Sequence, residues 1–209
     1  MKKTLLLLAA LFVAITGIFA QVTVSGDITT NTSWSKNNTY LLSGFVYVKN
    51  GATLTIEAGT TIKGDKITKG ALIVTRGSKI IAEGTAAEPI VFTSNEASPT
   101  YGDWGGVIIL GNGTTNNSFQ GTAGCGEIEG GVNNANGDGL YGGGCGGGTP
   151  NATDNSGVLK YVRIEYPGIA FQPNNEINGL TLGGVGSGTT IDHVQVSYSG
   201  DDSFEWFGG

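Results

Sequence analysis

Near the end of the chain the run Val158-Leu159-Lys160-Tyr161-Val162-Arg163-Ile164-Glu165-Tyr166 returns 32 residues later as Thr190-Ile191-Asp192-His193-Val194-Gln195-Val196-Ser197-Tyr198. No helical segment separates the two copies. They read as successive turns of a β-solenoid, in which each strand stacks on its counterpart in the next coil. That register sets Lys160 over Asp192, Val162 over Val194, Ile164 over Val196 and Tyr166 over Tyr198. A looser match at a shorter offset, Asn50-Gly51 before Leu54 and then Arg76-Gly77 before Ile80, 26 residues on, makes the coils unequal in length.

The intervening sequence follows the same grammar. Thr53-Leu54-Thr55-Ile56 alternates, and Ala71 to Val74, Lys79 to Ala82 and Pro89 to Thr93 are short apolar runs closed by Gly or Asn corners. Strands this short suit parallel stacking at about 4.8 Å, which satisfies backbone groups between coils. There are 37 glycines, but no G-x-y period, and Val, Ile and Leu recur throughout, so neither collagen nor a disordered tail fits. An antiparallel sandwich, which also has short strands and Gly-rich turns, stands as the alternative.

Gly102-Asp103-Trp104-Gly105-Gly106 leads through a tight turn into the buried run Val107 to Leu110. Residues 112–157 are then dominated by Gly, Asn and Thr, too long and polar for an ordinary connection, and read as a loop excursion from the solenoid wall. Cys125 and Cys145, the only cysteines, both lie in it. In an exported protein a disulfide between them is expected, and with no histidine or further cysteine nearby the pair lacks the ligands of a metal site.

Met1-Lys2-Lys3, the apolar run Leu5 to Ile15 and the less hydrophobic stretch to Ala20 read as a cleavable signal peptide over residues 1–20. The apolar core is short for a membrane anchor, and Gln21 stands where a lipid-modified protein carries cysteine. The domain over 21–209 is therefore expected to be secreted, extracellular or on the outer cell surface, and not integral to the membrane. The formal charge is −6, from 17 acidic and 11 basic side chains, and Lys2 and Lys3 leave with the leader. Such a surface repels nucleic acid.

The run Ser199 to Gly209 is the densest polar and aromatic cluster. A bend at Gly200 would let Asp201, Asp202 and Glu205 approach a calcium ion; the alternative is an acidic corner whose Asp caps backbone amides while Phe204 or Trp206 fills the coil. Arg163 and Glu165, beside Gln195 and Ser197 of the next coil, make an exposed ligand-binding candidate. They supply one guanidinium and one carboxylate, without the second carboxylate that glycoside hydrolysis uses, and the favoured alternative is an ion pair on a solvated wall. Trp104 is a candidate sugar-stacking ring or a packing residue at a coil edge. His193, the only histidine, aligns with Tyr161 and has no sequence-near partner to make it a base. No catalytic residue is identified.

The phrases Thr53-Leu54-Thr55-Ile56-Glu57-Ala58-Gly59, Gly102-Asp103-Trp104-Gly105-Gly106-Val107-Ile108-Ile109-Leu110-Gly111, Leu159 to Tyr166 and Gly200-Asp201-Asp202-Ser203-Phe204-Glu205-Trp206-Phe207-Gly208-Gly209 together resemble a family of secreted proteins of Bacteroidetes-type bacteria. The resemblance implies a right-handed parallel β-helix over nearly all of 21–209. Members are generally longer and often end in a surface-sorting domain. Because this sequence stops in mid-coil at Phe207-Gly208-Gly209, a truncated C-terminus is expected. The resemblance transfers no catalytic residue. The expectation is a structural or adhesive β-helix contacting a cell-surface glycan or protein; the alternative is a carbohydrate-active β-helix, a polysaccharide lyase or glycoside hydrolase.

Overall fold

A computed structural model describes residues 20–173 and 175–209. The signal peptide read over 1–20 lies outside the described residues, apart from Ala20. Among the described residues no helix is long and apolar enough to cross a membrane.

The chain winds as a right-handed parallel β-helix with a 13-stranded sheet that passes through three ladders. The first ladder stacks Thr32–Trp34, Thr53–Ile56, Lys79–Glu83 and the opening halves of Gly157–Glu165 and Thr190–Ser197. The second stacks the opening halves of Ala20–Ile28 and Asn38–Val48, then Thr61–Gly64, Ile90–Ser94 and the closing halves of Gly157–Glu165 and Thr190–Ser197. The third takes the closing halves of Ala20–Ile28 and Asn38–Val48, then Ala71–Val74, Val107–Leu110, Leu180–Gly183 and Phe204–Phe207. Every pairing within these ladders is parallel, which excludes the antiparallel sandwich.

Coil length varies as the repeats indicate. Thr32 pairs with Leu54, Leu54 with Ile80, Ile80 with Gly157 and Val158 with Thr190, giving offsets of 22, 26, 77 and 32 residues. Inward side chains form continuous columns: Tyr40, Ile62, Phe92, Ile164 and Val196 on the second ladder, and Val46, Leu72, Val107, Leu180 and Phe204 on the third. Each large aliphatic enclosed in this way contributes about 1.5–3 kcal/mol.

The third ladder differs from the other two because both of its faces are covered. Ala71–Val74 and Val107–Leu110 are buried at every position, whereas Thr53–Ile56 alternates. The cover is the excursion. Ile128, Val132 and Tyr141 from it, with Ile177, pack on Tyr47, Ile73, Ile108 and Leu110 to make a second apolar cluster. Tyr47 donates its hydroxyl to the Val132 carbonyl at 2.6 Å, and Lys49 sits 2.7 Å from Asp138 and 3.2 Å from Asp27. The expected disulfide joins Cys125 to Cys145, with their Cα atoms 4.6 Å apart. The segment over 112–157 therefore folds back as a brace along the third ladder.

Several of the corners that enter or leave the second ladder pass through left-handed backbone, though those flanking Ile90–Ser94 do not. In earlier coils glycine takes this conformation, as at Gly44 (φ 71) and Gly59 (φ 82). In the coils formed by Gly157–Glu165 and Thr190–Ser197 the same turns are made by Tyr161 (φ 48), Tyr166 (φ 60), His193 (φ 51) and Tyr198 (φ 57). A residue bearing a side chain pays about 1–2 kcal/mol for this conformation, of which an aromatic stack recovers about 0.5–1.5 kcal/mol per pair. Tyr161 stacks on His193 at 4.4 Å and Tyr166 on Tyr198 at 4.9 Å.

Candidate functional site

A shallow groove of about 560 Å³ lies at the corner between the first and second ladders. Thr85, Ala86 and Pro89 line one part of it, and Tyr161, Arg163, His193 and Gln195 another. Strand alternation turns Val162 and Ile164 inward, so Arg163 and, one coil on, Gln195 face out. Arg163 Nη2 lies 2.5 Å from Glu165 Oε1, and Glu165 also accepts a 3.3 Å hydrogen bond from Thr93. Lys160 lies 3.7 Å from Asp192, the coil-to-coil charge pair that the repeat register places there. These pairs are solvent-facing and worth at most about 1 kcal/mol each.

His193 does have a partner. Its Nδ1 is 2.6 Å from Asp192 Oδ1. Neighbouring residues of a regular strand point to opposite faces, which is why alternation kept these two apart. The left-handed backbone at His193 breaks that alternation and brings imidazole and carboxylate together. The groove thus offers a ring stack, a guanidinium, a primary amide and an imidazole held at one nitrogen by a carboxylate. Such a set can stack the apolar face of a sugar, hydrogen-bond its hydroxyls and, through the second imidazole nitrogen, accept a proton.

Trp104 offers no ring to a ligand: it is 0% exposed. It stacks on Phe92, donates its indole N–H to the Glu165 carbonyl at 2.8 Å, and fills space that a side chain at Gly64 would occupy. The neighbouring Asp103 anchors the turn. Burial works against its ionisation, but hydrogen bonds from Lys66, the Thr100 backbone, Ser94 and the Thr100 hydroxyl prevail and hold its carboxyl at about 2.

The acidic run does not converge on a cation. Among the described residues no group of three or more His, Cys, Asp and Glu side chains is placed to hold a metal. Asp201 and Asp202 lie on an exposed turn, where the Asp202 carbonyl accepts from Ser199 and the Gly179 amide. Glu205 belongs to the outward column Tyr47, Ile73, Ile108, Thr181, Glu205, at the end of the strip that the excursion covers. There the buried Asn178 donates to Glu205 at 2.7 Å and to Glu129 of the excursion at 3.2 Å, while its carbonyl accepts from the Asp202 amide. Burial first, then the adjacent Glu129 and Asp202 charges, push the Glu205 carboxyl up to about 7 against the opposing hydrogen bond from Asn178.

Sequence reasoning set Arg163 and Glu165 side by side on the wall, where they form an ion pair with only Arg163 lining the groove, but it did not reveal the Asp192–His193 contact or the carboxyl pair at Asn178. No spacing signal could have revealed the latter, since Glu129 and Glu205 meet only because the excursion folds back. A family model described as a pectate-lyase-like β-helix domain matches residues 26–209. No curated protein and no solved structure matches the chain.

Proposed function

The chain belongs to the pectate-lyase-like β-helix domain family, and on that premise we propose that it is an exported, surface-displayed module that binds polysaccharide through the groove on its second ladder. The observation that carries the reading is the groove itself: the Tyr161–His193 stack beside Arg163 and Gln195 on a rigid wall. Side chains fixed by stacked strands need little reordering on binding, which favours affinity from a small contact. A polysaccharide-binding role also suits an acidic β-helix read as carrying an export leader, and is the adhesive function in chemical terms.

A second reading, a carbohydrate-active enzyme, is favoured by one observation, the 2.6 Å contact between Asp192 and His193 in the same groove. An oriented imidazole is a general base in waiting. A glycan array probed with the folded chain, with calcium and with chelator, separates the two when bound polymers are assayed for new reducing or unsaturated ends. Binding without new ends, lost at least tenfold in Arg163→Ala, supports the binding module. New ends that disappear in His193→Ala replace it with the enzyme.

A further inference from the structure

We propose that the outer wall of the second ladder takes a linear, uncharged polysaccharide lying parallel to the strands, gripped between the Tyr161–His193 stack and a second aromatic platform of Tyr101, Tyr166 and Tyr198. This rests on the saccharide-binding reading above and deepens it by naming a second subsite, the chain direction and the class of sugar.

The second platform is built and open. Tyr166 stacks on Tyr198 at 4.9 Å with rings 10° apart, and Tyr101 meets Tyr198 edge-on at 5.8 Å. Tyr101 is 68% exposed and Tyr198 52%. Both platforms rest on left-handed backbone, at Tyr161, His193, Tyr166 and Tyr198, where glycine or asparagine is the comfortable residue. Earlier coils use Gly44 and Gly59 beside the same ladder. Four aromatic rings at four such corners, two to each margin of one ladder, are more than the turns require. Strain retained at the half-buried Tyr161 and Tyr166 and the exposed His193 and Tyr198 is a pointer to function.

Spacing and charge define the occupant. Tyr161 and Tyr166 bracket Val162 to Glu165; five strand steps place the platforms about 15 Å apart along the strand direction, the reach of a short oligosaccharide. The floor between them carries Arg163 and Glu165, with Gln195 and Ser197 one coil on. Arg163 is paired with Glu165, and at the rim Lys160 is paired with Asp192. Charge is balanced on these two coils, which between the platforms hold no surplus cation for an acidic sugar, the nearest further lysine of the wall, Lys63, standing two coils away; their amide, hydroxyl and ion-pair edges suit hydroxyl groups.

The test is affinity electrophoresis of the full chain in gels containing glucomannan, xyloglucan or polygalacturonate, followed by calorimetry with manno- and gluco-oligosaccharides from dimer to hexamer. The wild type is expected to be retarded by a neutral polymer more than by polygalacturonate. Tyr198→Asn and Tyr101→Ala should each lower affinity for tetramers and longer chains at least tenfold, with less than a twofold change for dimers. Because asparagine tolerates left-handed backbone, Tyr198→Asn should unfold at no lower temperature than the wild type, which separates lost binding from lost fold. Retained affinity in both tyrosine variants, with loss confined to Arg163→Ala, would overturn the second platform and leave the groove reading standing. Preference for polygalacturonate would overturn the uncharged ligand, and a folded wild type that binds no polysaccharide would overturn the binding reading itself.

Discussion

Glu205 shows how one side chain's chemistry is set by what folds over it. On the outward face of its strand it would be solvated, but Asn178 and Glu129 enclose it. Its folded-state value, raised to about 7 from the usual 4.5, means that its contribution to stability is complete below the unfolded value and is lost as pH rises through about 7. Glu205→Gln keeps an acceptor for Asn178 and removes the charge. The variant should therefore match the wild type near pH 4, and exceed it by about 1–2 kcal/mol near pH 8, a rise of a few degrees in melting temperature. Thermal melts across that range check this; parallel curves for the two proteins would refute the assignment. His193 carries a related lesson. A strand pattern read by strict alternation separates it from Asp192, and only the φ of 51° at this one residue brings them together.

At the level of elements, the ladders were legible because burial writes itself into the pattern. Thr53–Ile56 alternates since one face is wet, and Val107–Leu110 is apolar throughout since both faces are covered. The continuous run was readable as a buried strand, yet the identity of its cover was not. The excursion over 112–157 hides Ile128, Val132 and Tyr141 among glycines and asparagines, too sparsely for any period to emerge. Trp104 was ambiguous for a similar reason, because the space it fills is left by Gly64, far away in sequence. The two kinds of ladder respond differently to a charge on the outward face. Ile108→Lys places an ammonium under the excursion and should cost about 3–5 kcal/mol, whereas Val91→Lys on the second ladder should stay within about 1 kcal/mol of the wild type. Urea midpoints of the two variants decide it, and similar losses would mean that the excursion does not seal the third ladder.

Across the whole molecule, a solenoid gives each coil only its neighbours to hold, so its ends can unravel independently of its middle. The excursion adds contacts that skip coils. Near one end Tyr47 and Lys49 hold Val132 and Asp138; in the middle Arg76 donates to the Cys145 carbonyl at 3.4 Å; at the far end Glu129 reaches Asn178 beside Glu205. A strut that spans the stack couples coils that the ladders leave independent. The wild type should consequently unfold in urea as one transition. The double variant Tyr47→Phe with Asp138→Asn unfastens the near end without disturbing any ladder hydrogen bond. Trp34, Trp104 and Trp206 sit in an early, a middle and a late coil, so indole fluorescence and far-ultraviolet circular dichroism weight the coils differently. Coincident curves in the wild type, and curves that separate in the double variant, are the expected outcome. If the variant's curves merely shift together, coil-to-coil stacking is already cooperative enough, and the excursion stabilises the molecule only by covering the third ladder's apolar face.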